Sequence, residues 1–314
     1  MPRIRPTPTD PVPGFLILMP KGAAEVAALL ADACPGAAIW CGEAEADPDG
    51  VDYVVGFRQP KDCAVYPGLK AIFALSAGVD HYRLSELPDH VPLVRLIDDA
   101  VALQIRDYVL TGVLMLHRGL PAYLQRQREQ VWEIDPIRLP SETRVGILGL
   151  GVLGAAAAEA LRDLGFPVAG WSRRPKTVEG VASFTGEDGL AAMLARTDVL
   201  VCLLPLTDAT HGILNAALFA ALPEGAGLVH LGRGRQLVAA DLLAALDSGH
   251  LSGAVVDVTD PEPLPKGDPL WSHPGVVLTP HVASRSRPDS AVKRVIDNIA
   301  RLERGDEMQG LVPR

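Results

Sequence analysis

The chain has 314 residues, of which 48% are hydrophobic, and carries a formal net charge of −9. That size gives room for one large core or two medium ones, and the acidic balance argues against nonspecific nucleic-acid binding, which needs basic patches to neutralise phosphates. No apolar run reaches the roughly 18 residues of a membrane span, and the Pro-rich start, Met1 to Asp10, lacks the apolar segment of a signal peptide. A cytoplasmic protein with a loose N-terminal tail is therefore expected. The four cysteines, Cys34, Cys41, Cys63 and Cys202, form no CxxC pair and no Cys/His cluster at zinc spacing. Reduced thiols and no metal are expected.

Phe15 to Met19 is a short apolar run that reads as a buried strand, and Ala23 to Ala33 reads as a helix stopped by Pro35-Gly36. Tyr53–Phe57, Ala71–Leu75 and Val91–Leu96 are further strand-like runs, with helices or turns between them. A long helix is expected from about Ala100 to His117. The polar stretch Arg118 to Thr143 reads as a solvated connector. A second α/β series then begins: strands at Val145–Gly149, Pro167–Trp171, Val199–Leu204, Gly227–Leu231, Gly253–Asp257 and Val276–Thr279, a helix from Ala155 to Leu164, and a last helix from about Pro288 to Glu303. Two α/β halves with parallel sheets follow from this alternation.

Gly149-Leu-Gly-Val-Leu-Gly154 is a GxGxxG match. Alone it is a weak signal, but it follows an apolar strand and opens an Ala-rich helix, the setting of a dinucleotide-binding turn. Gly149 would allow the tight turn, Gly151 the approach of a pyrophosphate, and Gly154 close helix–sheet packing. The N–H groups at the helix start, about Val152 and Leu153, would face the phosphates. After the next strand stand Ser172, Arg173 and Arg174, where NAD-preferring sites place an acid for the ribose hydroxyls. A hydroxyl and two guanidiniums suit a 2′-phosphate instead. NADP(H) is the expected cofactor, with NAD(H) second.

Three later segments each carry one polar residue just past a strand: Arg233 in Leu231-Gly-Arg-Gly234, Glu262 in Asp257-Val-Thr-Asp-Pro-Glu-Pro-Leu264, and His281 in Leu278-Thr-Pro-His-Val-Ala-Ser284. The C-terminal ends of parallel strands converge on one crevice. Reducing a 2-keto acid needs a carboxylate anchor, a proton donor and a hydride donor. Arg233 can bind carboxylate and ketone oxygens and polarise the carbonyl. His281 can give the proton, since a histidine ordinarily titrates near pH 6.5. Glu262 can accept from the other ring nitrogen, fix the tautomer and favour the imidazolium.

These segments resemble the D-isomer-specific 2-hydroxyacid dehydrogenases, whose motifs are GxGxxG, an RG pair after a strand, DVxxxEPL and TPHxA. The similarity runs over nearly the whole chain from Phe15. It implies that Arg233, Glu262 and His281 are the catalytic three, with His281 also beside the cofactor. It implies that Asp257 contacts the nicotinamide carboxamide, and that Leu204, Pro205 and Thr210 lie near the adenosine side. Leu231 and Gly232 are counted with the cofactor site. Ser76-Ala-Gly-Val-Asp80 matches the turn that holds the substrate carboxylate on backbone N–H groups, assigned to Ala77, Gly78 and Val79; Asp80 is expected to be structural.

Gly170-Trp-Ser-Arg173 and Pro280-His-Val-Ala-Ser-Arg-Ser-Arg-Pro288 point to the bacterial glyoxylate/hydroxypyruvate reductase branch. Two departures stand out: the family often has Asn where His230 stands, and Glu-Tyr where Asp107-Tyr108 stands. Arg58, Trp132 and Arg285 are further candidates for lining the site.

The resemblance implies two doubly wound parallel-sheet domains with a cleft between them: a flavodoxin-like substrate-binding domain, residues 1–98 and 284–314, and a Rossmann-type NAD(P)-binding domain, residues 99–283. The crossings near 100 and 283 would serve as a hinge. It also implies a homodimer built with the 118–143 arm, and reduction of glyoxylate to glycolate and of hydroxypyruvate to D-glycerate by NADPH. The alternatives are a broader D-2-hydroxyacid dehydrogenase acting, for example, on phenylpyruvate, and a non-catalytic NAD(P)-sensing protein.

Overall fold

Strands covered on both faces need apolar residues at every position, and the continuous runs of this chain meet that demand. The computed structural model describes residues 12–76, 78–96 and 99–313. The Met1–Asp10 tail, Ala77 and the expected boundary at Asp98 lie outside the described residues. The chain divides into two compact units, Met1–Val101 with Ser286–Arg314, and Ala102–Arg285.

The first unit contains β1 (Gly14–Leu18), α1 (Ala23–Ala33), β2 (Ala38–Trp40), β3 (Tyr53–Gly56), β4 (Ala71–Ala74) and β5 (Leu93–Arg95), with the sheet order β2-β1-β3-β4-β5. Its strands pair in parallel, in the flavodoxin-like order. Phe15 and Ile17 of β1 join a core with Val26 and Leu30 of α1 and with Val292, Val295, Ile296 and Ile299 of the C-terminal helix Pro288–Arg304. Leu16 and Leu18 face the other way, into a core with Val54, Ile72, Tyr66 and Tyr82. The C-terminal helix starts on Pro288 and ends at Gly305, whose φ of 75° lets the chain turn off the helix. Beyond it, the backbone of Gly310 and Val312 bonds to β5 at 2.9 Å on each side.

The second unit takes in most of α2 (Asp99–His117), then α3 (Leu120–Glu129), β6 (Val145–Leu148), α4 (Val152–Asp163), β7 (Val168–Trp171), β8 (Ala182–Phe184), α5 (Gly186–Leu194), β9 (Val199–Cys202), α6 (Ala216–Ala220), β10 (Ala226–His230), α7 (Ala239–Asp247), β11 (Leu251–Val256) and β12 (Val276–Leu278). Seven parallel strands run in the order β12-β11-β10-β9-β6-β7-β8, the Rossmann-type arrangement with its reversal beside β6. Leu148, Cys202, His230, Val256 and Leu278 lie in one lateral row at the strand ends. Below that row Leu200, Leu228 and Ala254 pack against α6 and α7.

Four elements depart from expectation. The 118–143 stretch is not all connector, since it contains α3. The helix after the glycine turn starts at Val152, ahead of Ala155. The edge strands β2 and β8 were not expected; β2 lies in the short apolar run Ala37–Cys41, and β8 has no such run. Among the described residues no helix is long and apolar enough to cross a membrane, and no group of three His, Cys, Asp or Glu residues could hold a metal ion. Cys34, Cys63 and Cys202 are buried and Cys41 is exposed. Burial pushes the Cys202 thiol up to about 12.

Candidate active site

The glycine turn follows β6 directly. Gly149 has φ 105°, a left-handed conformation that other residues resist. A Cβ on Gly154 would stand 1.9 Å from the Gly149 carbonyl oxygen, so this glycine is required by the turn itself. Gly151 differs: a Cβ there would meet nothing within 4 Å, and its φ is −76°. Neither packing nor backbone geometry demands glycine at this position, which leaves open space for the close approach of a dinucleotide. Gly151 caps α4 without a side-chain hydrogen bond, which leaves the N–H groups near Val152 and Leu153 to a phosphate. The residues present fit a dinucleotide.

Beyond β7, buried Ser172 donates from Oγ to the Arg174 carbonyl at 2.7 Å and shapes the turn. Arg173 and Arg174 are exposed, and among the described residues neither guanidinium makes a hydrogen bond or ion pair. The loop after β9 is closed by Thr210, whose Oγ1 donates to the Pro205 carbonyl at 2.7 Å and accepts from the Thr207 N–H at 2.8 Å.

Arg233 follows β10. Its N–H donates to Gln236 Oε1 at 2.8 Å, its carbonyl accepts from His230 Nε2 at 3.0 Å, and its Nη1 donates to the Gly232 carbonyl at 2.8 Å. Gly234 lets this loop abut the next one: a Cβ there would fall 2.0 Å from the Thr259 carbonyl. Thr259 begins the turn that carries Glu262. One Glu262 oxygen accepts the Thr259 N–H at 3.1 Å, and the other meets His281 Nδ1 at 2.9 Å. A carboxylate only accepts, so Nδ1 carries the hydrogen and Nε2 faces away from Glu262. The side chains of His281 and Glu262 keep 44% and 39% exposure, so the dyad is open to an incoming molecule.

His281 sits at φ 52°, a conformation uncommon outside glycine. Asp257, buried at the end of β11, holds it there. Oδ1 accepts from Thr279 Oγ1 at 2.6 Å and from the Val282 N–H at 2.8 Å, Oδ2 accepts from the Ala283 N–H at 2.9 Å, and the Asp257 carbonyl accepts the His281 N–H at 2.8 Å. Thr279 spends its hydrogen on Asp257, so the Tyr108 hydroxyl donates to Thr279 at 2.5 Å. Asp257 thus grips the His281 loop and keeps acceptor capacity on Oδ2.

Leu204, Leu231 and Gly232 are buried and Pro205 is exposed, all at the ends of β9 and β10. In the other unit, Ser76 Oγ donates to the Gly78 carbonyl at 2.7 Å and the Tyr82 N–H to the Val79 carbonyl at 3.0 Å, forming the turn after β4. Ala77 of that turn lies outside the described residues. Arg58 is paired with Glu43 at 2.5 Å, Arg285 is tied through its backbone to Gln104, and Trp132 is 95% exposed. None of the three is hydrogen-bonded to the His281 dyad. Sequence reasoning missed Gln236, a polar residue three positions after Arg233 that belongs to no motif, and the reach of Asp257 to residues 282 and 283.

Residues 110–283 match the family model for the D-isomer specific 2-hydroxyacid dehydrogenase NAD binding domain. The chain belongs to the D-isomer specific 2-hydroxyacid dehydrogenases. Among curated relatives of this family, glyoxylate/hydroxypyruvate reductase A of Salmonella paratyphi B is 43% identical over 275 residues, covering 85% of this chain and 88% of that protein. The D-isomer specific 2-hydroxyacid dehydrogenase of Xanthobacter autotrophicus Py2, solved with NADPH and MES, superposes with a TM-score of 0.90 at 39% identity, over 96% of this chain and 98% of that one. The NADPH-dependent glyoxylate/hydroxypyruvate reductase of Sinorhizobium meliloti, solved with NADP and sulfate, gives 0.87 at 38% identity, over 96% and 98%.

Proposed function

We propose that this dehydrogenase reduces small 2-keto acids with NADPH, taking glyoxylate to glycolate and hydroxypyruvate to D-glycerate. The observation that carries this reading is the His281–Glu262 hydrogen bond of 2.9 Å, at the strand ends of the sheet that also bears the Gly149–Gly154 turn. Relatives solved with NADPH or NADP support the cofactor, and the exposed Arg173 and Arg174 suit its 2′-phosphate.

Bound NADPH supplies the hydride that reaches the ketone carbon. The chain supplies the rest. Arg233 binds the substrate carboxylate and carbonyl oxygen with its guanidinium and polarises the C=O bond. His281 holds a proton on Nε2 and passes it to the carbonyl oxygen as negative charge develops there. Glu262 keeps the ring in the Nδ1–H tautomer and faces the imidazolium with opposite charge. Residues 1–98 and 284–314 serve as the substrate-binding domain, and 99–283 as the NAD(P)-binding domain.

The working form is a cytoplasmic homodimer. Trp132, Ile134, Ile137 and Leu139 are 95, 80, 75 and 60% exposed in a single segment after α3, and a second copy of the chain is the partner that would cover them. Steady-state oxidation of NADPH and NADH with glyoxylate, hydroxypyruvate, pyruvate and phenylpyruvate tests the activity. Fast NADPH consumption with the first two is expected. Tight NADPH binding with no turnover on any of the four would overturn the reading in favour of a sensor.

A further inference from the structure

Gln236 is completely buried, and each end of its amide is used. Oε1 accepts the Arg233 N–H at 2.8 Å. Nε2 donates to the carbonyls of Leu204 and Pro205, each at 3.1 Å. The orientation of the amide is forced, because a backbone N–H can only donate and a carbonyl can only accept. The chain around it makes room for this side chain: a Cβ on Gly232 would fall 2.1 Å from Gln236 Oε1. The far side is closed by the Cys202 thiol, 4.0 Å from the same oxygen. A buried amide satisfied at both ends ties two loops that share no strand, the one after β9 and the one after β10.

We infer that Gln236 is a positioning residue for Arg233, coupling the substrate-binding guanidinium to the Leu204–Pro205 loop of the cofactor side. The inference rests on the reading of Arg233 as the anchor of the keto acid. Gln236 is fully buried and its amide is spent on backbone groups rather than offered to a ligand. It fixes where the Arg233 backbone leaves β10, and it fixes that point relative to the loop closed by Thr210. A guanidinium must meet both carboxylate and carbonyl oxygens in one geometry, so loosening its backbone spreads it over orientations of which few are productive.

The test compares Gln236→Met, Gln236→Glu and Arg233→Gln with the parent in NADPH oxidation by glyoxylate, with NADPH affinity read by fluorescence. Gln236→Met keeps length and removes all three backbone hydrogen bonds. It is expected to raise KM for glyoxylate at least tenfold, to lower kcat less, and to weaken NADPH severalfold. In Gln236→Glu, a neutral carboxyl can accept from the Arg233 N–H and donate to one carbonyl, whereas an ionised one cannot donate. The kcat/KM of Gln236→Glu, divided by that of the parent at each pH, is therefore expected to rise as pH falls from about 8 to about 5.5.

A folded Gln236→Met enzyme with KM and kcat within twofold of the parent would overturn the inference. If that variant does not fold, a flat Gln236→Glu ratio across the pH range would do so. Arg233→Gln separates the two readings: unchanged KM and kcat there would remove Arg233 as the anchor, whereas a large loss there beside a normal Gln236→Met would remove only the positioning role.

Discussion

The His230 imidazole lies wholly buried at the end of β10, with Nε2–H donated to the Arg233 carbonyl and Nδ1 without a hydrogen-bond partner among the described residues. Burial pulls its pKa down from 6.5 to about 4; the Arg233 charge acts in the same direction, and the Arg233 carbonyl and Asp257 oppose it. In the unfolded chain the same ring takes up a proton near pH 6.5. Between the two values the unfolded state binds a proton that the folded state refuses, so this residue withdraws stability as pH falls from about 6.5 to 4. The full effect is about 3 kcal/mol below pH 4, and about 2 kcal/mol has been lost at pH 5. Urea unfolding of the parent and of His230→Asn at pH 7 and pH 5 isolates it, since the asparagine amide carries a donor but does not titrate. Stability should fall by about 2 kcal/mol more in the parent than in the variant. Equal losses in the two proteins would refute a buried neutral imidazole at this position.

His281→Gln should lower turnover by about 10²- to 10⁴-fold while NADPH affinity stays near that of the parent; normal turnover would remove His281 as the acid. Arg173→Ala combined with Arg174→Ala should weaken NADPH at least tenfold more than NADH, as loss of charged hydrogen bonds to a phosphate requires, and equal weakening in a titration of both would sink the 2′-phosphate assignment. Gly151→Ala should keep the parent Tm and lose NADPH affinity, because its Cβ meets no protein atom. Gly154→Ala should lower Tm sharply, because its Cβ strikes the Gly149 carbonyl; a thermal melt and a binding titration on each variant check the pair.

Legibility in the sequence followed burial. β1, β3 and β4 are covered on both faces and show as unbroken apolar runs, so their place in the chain could be read directly. β8, with Ala182 and Ser183 exposed on a sheet edge, has no such run. Helix α3 buries only Pro121; it has no apolar face to give a period, and contacts such as Gln125 with Glu129 lie on its surface. Arg233, Glu262 and His281 were visible because each stands beside a strand end in a recognisable motif. Gln236 was not, because its importance comes from carbonyls some 31 and 32 residues away, a contact that no local pattern encodes. His230, a position where the resembling family often has Asn, donates to the Arg233 carbonyl, a contact that a lone histidine in the sequence does not announce.

The order of the loops along the sheet explains why residues so far apart in sequence act together. Strands β9, β10, β11 and β12 are neighbours, and each loop after them is fastened to the next by buried groups. Gln236 binds the β10 loop to the β9 loop, Gly234 lets the β10 loop lie against Thr259 of the β11 loop, and Asp257 holds Val282 and Ala283 of the β12 loop. Backbone and buried side chains make this fastening. It is also pairwise, so a disturbance should pass only to adjacent loops: loss of the Gln236 amide should reach Arg233 and the Leu204–Pro205 carbonyls and leave the 2.9 Å His281–Glu262 bond in place. On the proposed roles, the site divides into an anchoring half, after β9 and β10, and a proton-transfer half, after β11 and β12, joined where Gly234 meets Thr259.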